Sequence, residues 1–227
     1  KLETASYAAN TSLTKEINMK QQLATMLELQ NNMNTKVHAN WREQQFEWYR
    51  AIWIECAELL DHYGWKWWKK QECELEQLQM ELVDIWHFTL SHILLEHSGD
   101  QDASMKALLA MRSTDTTVEF DQKIFEINEL DTLKRLELTI GLACAGRVSM
   151  NLFEALLNDC KMSWSDLYSQ YIGKNVLNFF RQDHGYKEGT YQKIWAGRED
   201  NEHLVDALSK LDVEHADFRH LLYESLK

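Results

Sequence analysis

The sequence of 227 residues contains no proline and only eight glycines. At an ordinary usage near 5%, a chain of this length would hold about eleven prolines. Proline breaks helices and punctuates loops, so its absence favours long, uninterrupted helices. Glutamate, glutamine, leucine, lysine, methionine and alanine are plentiful, and these residues favour helix formation. The composition therefore predicts an all-α protein.

The cysteines are few, and they form no metal or disulfide pattern. The chain has four of them, and no two have the C-x-x-C spacing. Most lie in apolar, helical surroundings, where a thiol remains reduced in the cytosol. A zinc site or a disulfide framework is therefore not expected. The four residues are Cys56, Cys73, Cys144 and Cys160.

The sequence also lacks a long apolar run and an excess of positive charge. No stretch reaches the roughly eighteen apolar residues that a membrane-spanning helix needs, and no signal-peptide core is present. The formal net charge is -12, which argues against binding to DNA, RNA or an anionic membrane, because those partners need a basic surface. A small anionic substrate that arrives with a metal ion remains compatible with this charge. We expect a cytoplasmic protein.

The chain is long enough for one large domain with its own core. Residues 1–18 are polar and small with weak periodicity, so we expect an N-terminal extension that is disordered or foreign to the natural protein. Met19 would then be the natural start, and residues 19–227 would form a single all-α domain. Apolar periodicity predicts helices over about 13–33, 43–62, 72–97, 103–111, 118–128, 132–159, 163–180, 200–211 and 214–225.

Two short acidic pairs are the most informative feature of the chain. Glu55 and Glu58 lie in the run WIECAELLD, and Glu81 and Asp84 lie in the run ELVDIWHF. Residues three apart on a helix share a face, so each pair presents two carboxylates side by side. A solvated helix face would explain one such pair, but both are surrounded by apolar residues. Four acids in that setting must bind protons or a cation, and Mg²⁺ is the natural cation.

His87 lies one turn beyond Asp84, and it has two interpretations. It is either a core histidine with a hydrogen-bonded ring or a pocket residue beside the metal. Its presence also raises the alternative of a di-iron site in a four-helix bundle. That alternative is weaker, because such sites use E-x-x-H twice and the first acidic pair here has no histidine at the required step.

Three other segments have a composition that suits a nucleotide. Trp65, Trp67 and Trp68 alternate with lysines, which would provide flat faces for a base and cations for phosphates, or merely packing and solvated charge. Gln30 and Asn34 are surface amides or readers of a pyrimidine edge, since amides both donate and accept. The stretch 181–198 is basic, aromatic and glycine-rich, and such a long loop is functional or disordered.

Several of these runs resemble the dimeric all-α dUTPases, which belong to the all-α NTP pyrophosphatase superfamily with the MazG-type proteins. The resemblance covers about residues 26–204, and its most specific part is the stretch beginning YIGKNVLNFF. The other runs are LQNNMN, WIECAELLDHYGWKWWKK, ELVDIWHF and WAGREDNE. The resemblance implies a helical bundle with a mobile glycine-rich active-site loop. It also implies a homodimer that hydrolyses dUTP to dUMP and pyrophosphate, accepts dUDP, and uses two or three Mg²⁺ ions per active site.

The resemblance also implies roles for individual residues. The magnesium ligands would be Glu55, Glu58, Glu81 and Asp84, and Glu55 or Glu58 would also orient or deprotonate the attacking water. Gln30 and Asn34 would read uracil, although Asn31 and Asn32 compete with them in register. Trp68 would line the nucleoside pocket, and His87 would lie by the sugar. The residues that hold the phosphates or close over them would be Lys66, Lys69, Lys174, Asn178, Arg181, Tyr186 and Lys187, with Asn178 alternatively touching the nucleoside.

Two alternatives to dUTP hydrolysis stay open at the level of sequence. A related all-α nucleotide pyrophosphatase would act on dCTP or damaged nucleotides, and it would differ only in the residues that read the base. A nonenzymatic helical protein would use its tryptophan-rich surface for docking. The second alternative predicts no Mg²⁺ dependence and no product from any nucleotide.

Overall fold

The computed structural model describes residues 2–112, 116–213, 215 and 217–227, with side chains from Glu16 onward. Helices dominate this part of the chain, which confirms the predicted all-α class. The helices are α1 (Leu2–Val37), α2 (Trp41–Gln44), α3 (Trp48–Tyr63), α4 (Leu75–Glu96), α5 (Gln101–Met111), α6 (Thr132–Cys144), α7 (Met150–Asp159), α8 (Trp164–Asp183), α9 (Asp200–Leu208) and α10 (Phe218–Ser225). Two small antiparallel hairpins join β1 (Thr117–Phe120) to β2 (Lys123–Glu126) and β3 (Ile194–Trp195) to β4 (Arg198–Glu199).

Helix α4 forms the centre of the core. It packs against α1, α3, α5 and α8, and its middle is buried on every side, as at Leu82, Val83 and Ile85. Burying one large apolar side chain contributes roughly 1.5–3 kcal/mol, so this central helix is strongly stabilised. The buried Glu81 and the partly buried Asp84 therefore lie within this well-packed part of α4.

The predicted helix ends agree with local backbone chemistry. Gly64 caps α3 in the left-handed region with φ 79°, a conformation that glycine adopts at little cost. Ser163 caps α8, because its hydroxyl accepts from the Asp166 amide while the Asp166 carboxylate accepts from the Ser163 amide. These two positions fix where the chain leaves α3 and where it enters α8.

The helix predicted over residues 118–128 is wrong, because a β-hairpin occupies this segment. Asp121 and Gln122 form its two-residue turn, and both have positive φ angles, of 49° and 60°. Positive φ at both turn positions matches the twist of the flanking strands. The apolar residues Val118 and Ile127 are buried in a small separate cluster with Leu138. Short apolar runs of this kind have no period long enough to separate helix from strand.

The single helix predicted over residues 132–159 is likewise interrupted. Helix α6 ends at Cys144, Gly146 adopts φ 68°, and α7 begins after Ser149. The Ser149 hydroxyl accepts a hydrogen bond from the Leu152 amide at 3.3 Å, which caps the new helix. The break lets α6 pack against α3 and α7 pack against α5 as well as against α6.

The ends of the predicted loop and of the chain also differ in detail. Helix α8 continues to Asp183, so the first part of the predicted loop 181–198 is helical, and the mobility of this loop stays a prediction.

The last two helices, α9 and α10, are present, although residue 214, where the second was expected to begin, lies outside the described residues. Helix α1 begins inside the predicted extension 1–18, whose origin stays a prediction. Within the described ranges, every helix is too short or too polar to cross a bilayer.

Candidate active site

A cavity of about 1420 Å³ opens between α1, α3, α4, α8 and α9. Most of the site residues predicted from the sequence line it, although they come from distant parts of the chain. The predicted residues on its wall are Gln30, Asn34, Glu55, Glu58, Glu81, Asp84, His87, Lys174, Asn178, Arg181 and Tyr186. Asn31 and Asn32, the competing amides of α1, are absent from this wall, so the register that places Gln30 and Asn34 inward is the one observed.

The two acidic pairs meet in this cavity. Glu55 of α3 and Glu81 and Asp84 of α4 each place a carboxylate oxygen within 4.8 Å of the others. Glu81 is 7% exposed, so this group is largely removed from water. Glu58 lies one turn further along α3, is exposed and lines the same cavity, but it does not belong to the close group. We call Glu55, Glu81 and Asp84 the carboxylate triad.

The triad is strongly unfavourable in its ionised form. Burial and the nearby charges of Asp84, Glu58 and Glu81 raise the pKa of Glu55 to about 8. Burial, and then the charge of Asp84, raise the pKa of Glu81 to about 6. Glu55 therefore retains its proton near neutral pH unless a cation compensates the charge, and Glu81 binds a proton more readily than an exposed glutamate does.

The raised pKa values predict how stability depends on pH when divalent metal is chelated. Both groups have folded-state pKa values above the ordinary 4.5, so the folded state holds more protons than the unfolded state between pH 4.5 and 8. Stability therefore falls as pH rises through this window. Urea unfolding at several pH values in EDTA would measure the decline. The free energy of unfolding of Glu55→Gln should fall less over the same range, and equal slopes for the two proteins would contradict the prediction.

The donor set of the triad fits a hard divalent cation. Three carboxylates from two packed helices converge within 4.8 Å, and oxygen ligands of this kind are those that Mg²⁺ prefers. A cation among them would replace the protons that burial and repulsion otherwise impose. The exposed carboxylate of Glu58 could add a further oxygen from the same cavity.

Lys174 provides positive charge beside the triad. Its side chain is 4% exposed, and its ammonium lies 2.8 Å from Asp84 Oδ2. The same ammonium donates to Asn201 Oδ1 at 3.2 Å. A buried lysine is stable only when paired in this way, so α8 and α9 are tied to the acidic face of α4. Asn201 was not predicted individually, although it lies in the run WAGREDNE that supported the resemblance.

Arg181 is held by a second buried ion pair. Its Nε and Nη2 groups donate to the two carboxylate oxygens of Asp200 at 2.8 Å each, and Asp200 is fully buried. Tyr191 donates to the same carboxylate at 2.8 Å. Burial acts to raise the pKa of Asp200, but the hydrogen bonds and charge of Arg181 outweigh it and lower that pKa. Asn178 and Asn201 accept the remaining contacts of the guanidinium at 3.3 Å.

A further part of the cavity wall is backed by an amide and hydroxyl network. Gln30 donates to Asn34 Oδ1 at 3.0 Å and to Ser91 Oγ at 2.9 Å. Its carbonyl oxygen lies 2.8 Å from His87 Nδ1 and accepts from the Tyr171 hydroxyl at 2.9 Å. The His87 ring also stacks on Tyr171 with centroids 4.1 Å apart. Burial lowers the pKa of His87 to about 3, so the ring is neutral.

Aromatic residues that the sequence analysis did not assign to the site complete this wall. Trp48 and Phe88 line the cavity and stack with centroids 6.2 Å apart at 25°, and Phe46 packs edge-on against Trp48. The spacing could have revealed two of them. Trp48 is two helical turns before Glu55, and Phe88 is one turn after Asp84, so each shares a face with the triad.

Four predicted site residues lie away from the cavity in this structure. Lys66 forms an ion pair with Asp61 on the surface. Trp68 is 57% exposed and contacts Trp67 edge-on, and Lys69 is exposed. Lys187 donates to the Val37 carbonyl at 2.8 Å, which places it on the end of α1. Their roles in binding stay predictions.

The cavity thus combines an acidic triad suited to a cation, buried cations suited to phosphate, and a polar and aromatic wall suited to a base. No curated protein matches the chain. A family model described as dUTPase matches residues 22–186, a span that includes both acidic pairs, the network residues and the predicted phosphate-binding residues of α8. Because this match covers most of the chain and agrees with the helical fold, the chain belongs to the all-α dUTPase family.

Proposed function

We propose that the chain carries out the dUTP hydrolysis of its family as a Mg²⁺-dependent attack of water on the α-phosphorus, which yields dUMP and pyrophosphate. We propose that dUDP is also a substrate and yields dUMP and phosphate. The observation that supports this proposal most directly is the carboxylate triad, whose oxygens lie within 4.8 Å of one another in a cavity that also contains buried cations.

The triad would hold the metal. Glu55, Glu81 and Asp84 provide oxygen ligands, and two or three Mg²⁺ ions per site would be accommodated with help from Glu58. When bound, Mg²⁺ supplies Lewis-acid stabilisation of the charge on the phosphate oxygens. Glu58 lies outside the triad but on the same cavity wall, so its carboxylate is available to orient the attacking water and accept its proton.

The cations of α8 would bind the phosphates that leave as pyrophosphate. Lys174 and Arg181 line the cavity beside the triad, and Lys193 and Arg198 line it from the segment before α9. Tyr186 lies over the Arg181 guanidinium, with 5.8 Å between Cζ and the ring centroid. Preorganised positive charge of this kind stabilises negative charge that develops on a leaving group.

The network wall would bind the nucleoside. Its amides and hydroxyls are fixed by hydrogen bonds, and the stacked Trp48 and Phe88 rings offer an apolar surface for a planar base. A site that presents a fixed pattern of donors and acceptors rejects a base with the opposite pattern, because buried groups are then left unpaired. Uracil has a donor at N3 and an acceptor oxygen at position 4, whereas cytosine has an acceptor at N3 and a donor amino group at position 4.

A product assay across nucleotides tests the proposal. We expect hydrolysis of dUTP and dUDP with Mg²⁺, almost none in EDTA, and almost none of dCTP, dTTP, dATP or dGTP under either condition. Chromatography of the products would identify dUMP. A preference for dCTP would favour the related pyrophosphatase, and no product from any nucleotide would favour the nonenzymatic interaction protein.

We also propose that the chain forms a homodimer in the cytoplasm, as the resemblance implies. Trp67 and Trp68 are 88% and 57% exposed, and their ring centroids lie 5.4 Å apart. Exposed apolar groups that lie close together favour a protein interface. Light scattering in solution would distinguish the 26.8 kDa chain from its dimer.

A further inference from the structure

We infer that Tyr191 is a positioning residue for the pyrophosphate part of the substrate, because it joins the loop that begins at Gly185 to the guanidinium of Arg181 through Asp200. The inference deepens the proposed function and rests on it, since it concerns how the same cavity holds the phosphates. Tyr191 itself is absent from the cavity wall, so it acts on the substrate through residues that line the cavity.

The guanidinium of Arg181 is held along one edge and on one face. Asp200 accepts from Nε and Nη2 at 2.8 Å each, and Cζ lies over the Tyr186 ring at 5.8 Å from its centroid. Tyr191 connects these two supports. Its hydroxyl donates to Asp200 Oδ2 at 2.8 Å, and its ring lies beside that of Tyr186 with centroids 5.9 Å apart. The four side chains therefore form a closed ring of contacts around the guanidinium.

The Tyr191 hydroxyl fixes the plane of the Asp200 carboxylate. Asp200 is fully buried, so water cannot replace a lost partner at low cost. A carboxylate turns about its single bond with only a broad preference, and a donor from a second direction restricts that rotation. Because bidentate pairing keeps a carboxylate and a guanidinium nearly coplanar, any turn of Asp200 would carry Arg181 with it.

This arrangement leaves one N–H of Arg181 for a ligand. A guanidinium has five N–H donors. Nε and one hydrogen of Nη2 bind Asp200, and the second hydrogen of Nη2 is directed to Asn201 at 3.3 Å. Nη1 donates to Asn178 at 3.3 Å, and its other hydrogen has no acceptor in the part of the chain that the structure describes. The direction of this last hydrogen depends on the plane that Asp200 and Tyr191 set.

Tyr191 also attaches its own loop to Arg181. The amides of Tyr191 and Thr190 both donate to the Gly185 carbonyl, at 3.2 and 2.9 Å, which closes a tight loop. At the start of this loop, the Tyr186 amide donates to the Arg181 carbonyl at 3.0 Å. The loop is thus attached to Arg181 at both ends, once through the backbone and once through the Tyr191 hydroxyl. The loop and the guanidinium therefore reach their phosphate-binding positions together.

Calorimetry of ligand binding tests this role without any turnover. Tyr191→Phe keeps the ring beside Tyr186 and removes the hydroxyl. With Mg²⁺ present, it should weaken the binding of inorganic pyrophosphate by about tenfold, the effect of losing one hydrogen bond to a charged group, and should change the affinity for dUMP by less than about twofold. Equal weakening of both ligands would indicate a general loss of structure, and an unchanged affinity for pyrophosphate would indicate no role. Either result would overturn the inference.

Tyr223→Phe is the matched control. Tyr223 donates to Asp183 Oδ2 at 2.8 Å, which is the same kind of bond at the end of the same helix, but neither residue lines the cavity. Both affinities should therefore remain at their wild-type values. A fall in pyrophosphate affinity like that expected for Tyr191→Phe would mean that the effect is not specific to Tyr191, and the inference would be wrong.

A double-mutant cycle tests the path through Arg181. Tyr191→Phe should lower kcat/KM for dUTP by about tenfold in the wild-type protein. In a protein that already carries Arg181→Met and Asp200→Asn, the same change should lower it by less than about twofold, because the path is absent there. An equal loss in both proteins would mean that Tyr191 acts without Arg181, which contradicts the inference.

The proposed function and this inference can fail separately. If the wild-type protein hydrolyses no nucleotide, the proposed function fails, and with it the role of Tyr191 in the reaction. If the wild-type protein hydrolyses dUTP but binds no pyrophosphate, or if Tyr191→Phe binds pyrophosphate as tightly as the wild-type protein does, only the inference about Tyr191 fails.

Discussion

Replacing Glu55 by glutamine is expected to slow dUTP hydrolysis by a factor of about 10² to 10³, a loss typical for removing one preorganised charge from an active site. The same change should stabilise the protein at pH 8 in EDTA. Glutamine has nearly the size of glutamate, so packing is preserved, while the repulsion and burial that raise the pKa of Glu55 to about 8 are removed. A substitution that lowers activity and raises stability indicates that the charge of Glu55 serves catalysis and destabilises the folded state.

Two measurements and a control complete this test. Steady-state turnover gives the activity, and urea unfolding at pH 8 with EDTA or with Mg²⁺ gives the stability. Mg²⁺ should raise the stability of the wild-type protein more than that of Glu55→Gln, because a ligand that binds only the folded state stabilises it. Glu72→Gln, an exposed change outside the cavity wall, should alter neither quantity appreciably. Near wild-type turnover by Glu55→Gln would remove the triad from the mechanism.

Replacing Arg181 by alanine is expected to lower the free energy of unfolding by about 3–5 kcal/mol, as found when one partner of a buried ion pair is removed. The reason is Asp200, which is fully buried and whose two oxygens both accept from the guanidinium at 2.8 Å. Without Arg181, the hydrogen bond from Tyr191 is the one that the Asp200 carboxylate would keep with side chains of the described residues. Chemical unfolding of the purified variant measures the loss, and a change below about 1 kcal/mol would contradict it.

Turnover by Arg181→Ala should also fall, so a second variant must separate binding from folding. In Arg181→Met with Asp200→Asn, the buried charge is removed together with its partner, and much of the stability should return. Activity should not return if Arg181 contacts phosphate, whereas recovery of turnover would limit Arg181 to a structural role. Arg50→Ala is the control, because Arg50 is exposed and its contact with Glu47 spans 3.6 Å. It should change stability by no more than about 0.5 kcal/mol.

The carboxylate triad could be anticipated from sequence because its elements are local. An acid at position i and another at i+3 share a helix face whatever the rest of the chain does, and their apolar neighbours indicate burial. The Trp–Lys segment shows the limit of such reasoning. Its composition suits a nucleotide equally well, yet Trp68 lies on the outer surface and away from the cavity. Composition describes what a segment could bind and says nothing about which way it faces.

Errors in the helix assignment came from short segments. The hairpin with its turn at Asp121 and Gln122 and the break at Gly146 depend on a few backbone angles. The alternation of apolar and polar residues does not reveal these strands, because each has four residues and therefore only two on each face. Neither difference affects the cavity, which is built from the long helices and from α9.

The sequence by itself determined the helical class, the two acidic faces and the membership signalled by the runs around them, because each depends on spacing within one or two helical turns. Only the tertiary structure decided which polar groups meet. Gln30 contacts Ser91 and Tyr171 across 61 and 141 residues, and Arg181 pairs with Asp200 across 19. A buried hydrogen bond depends on distances of a few tenths of an ångström between segments far apart in the chain, and these distances follow from how the helices pack.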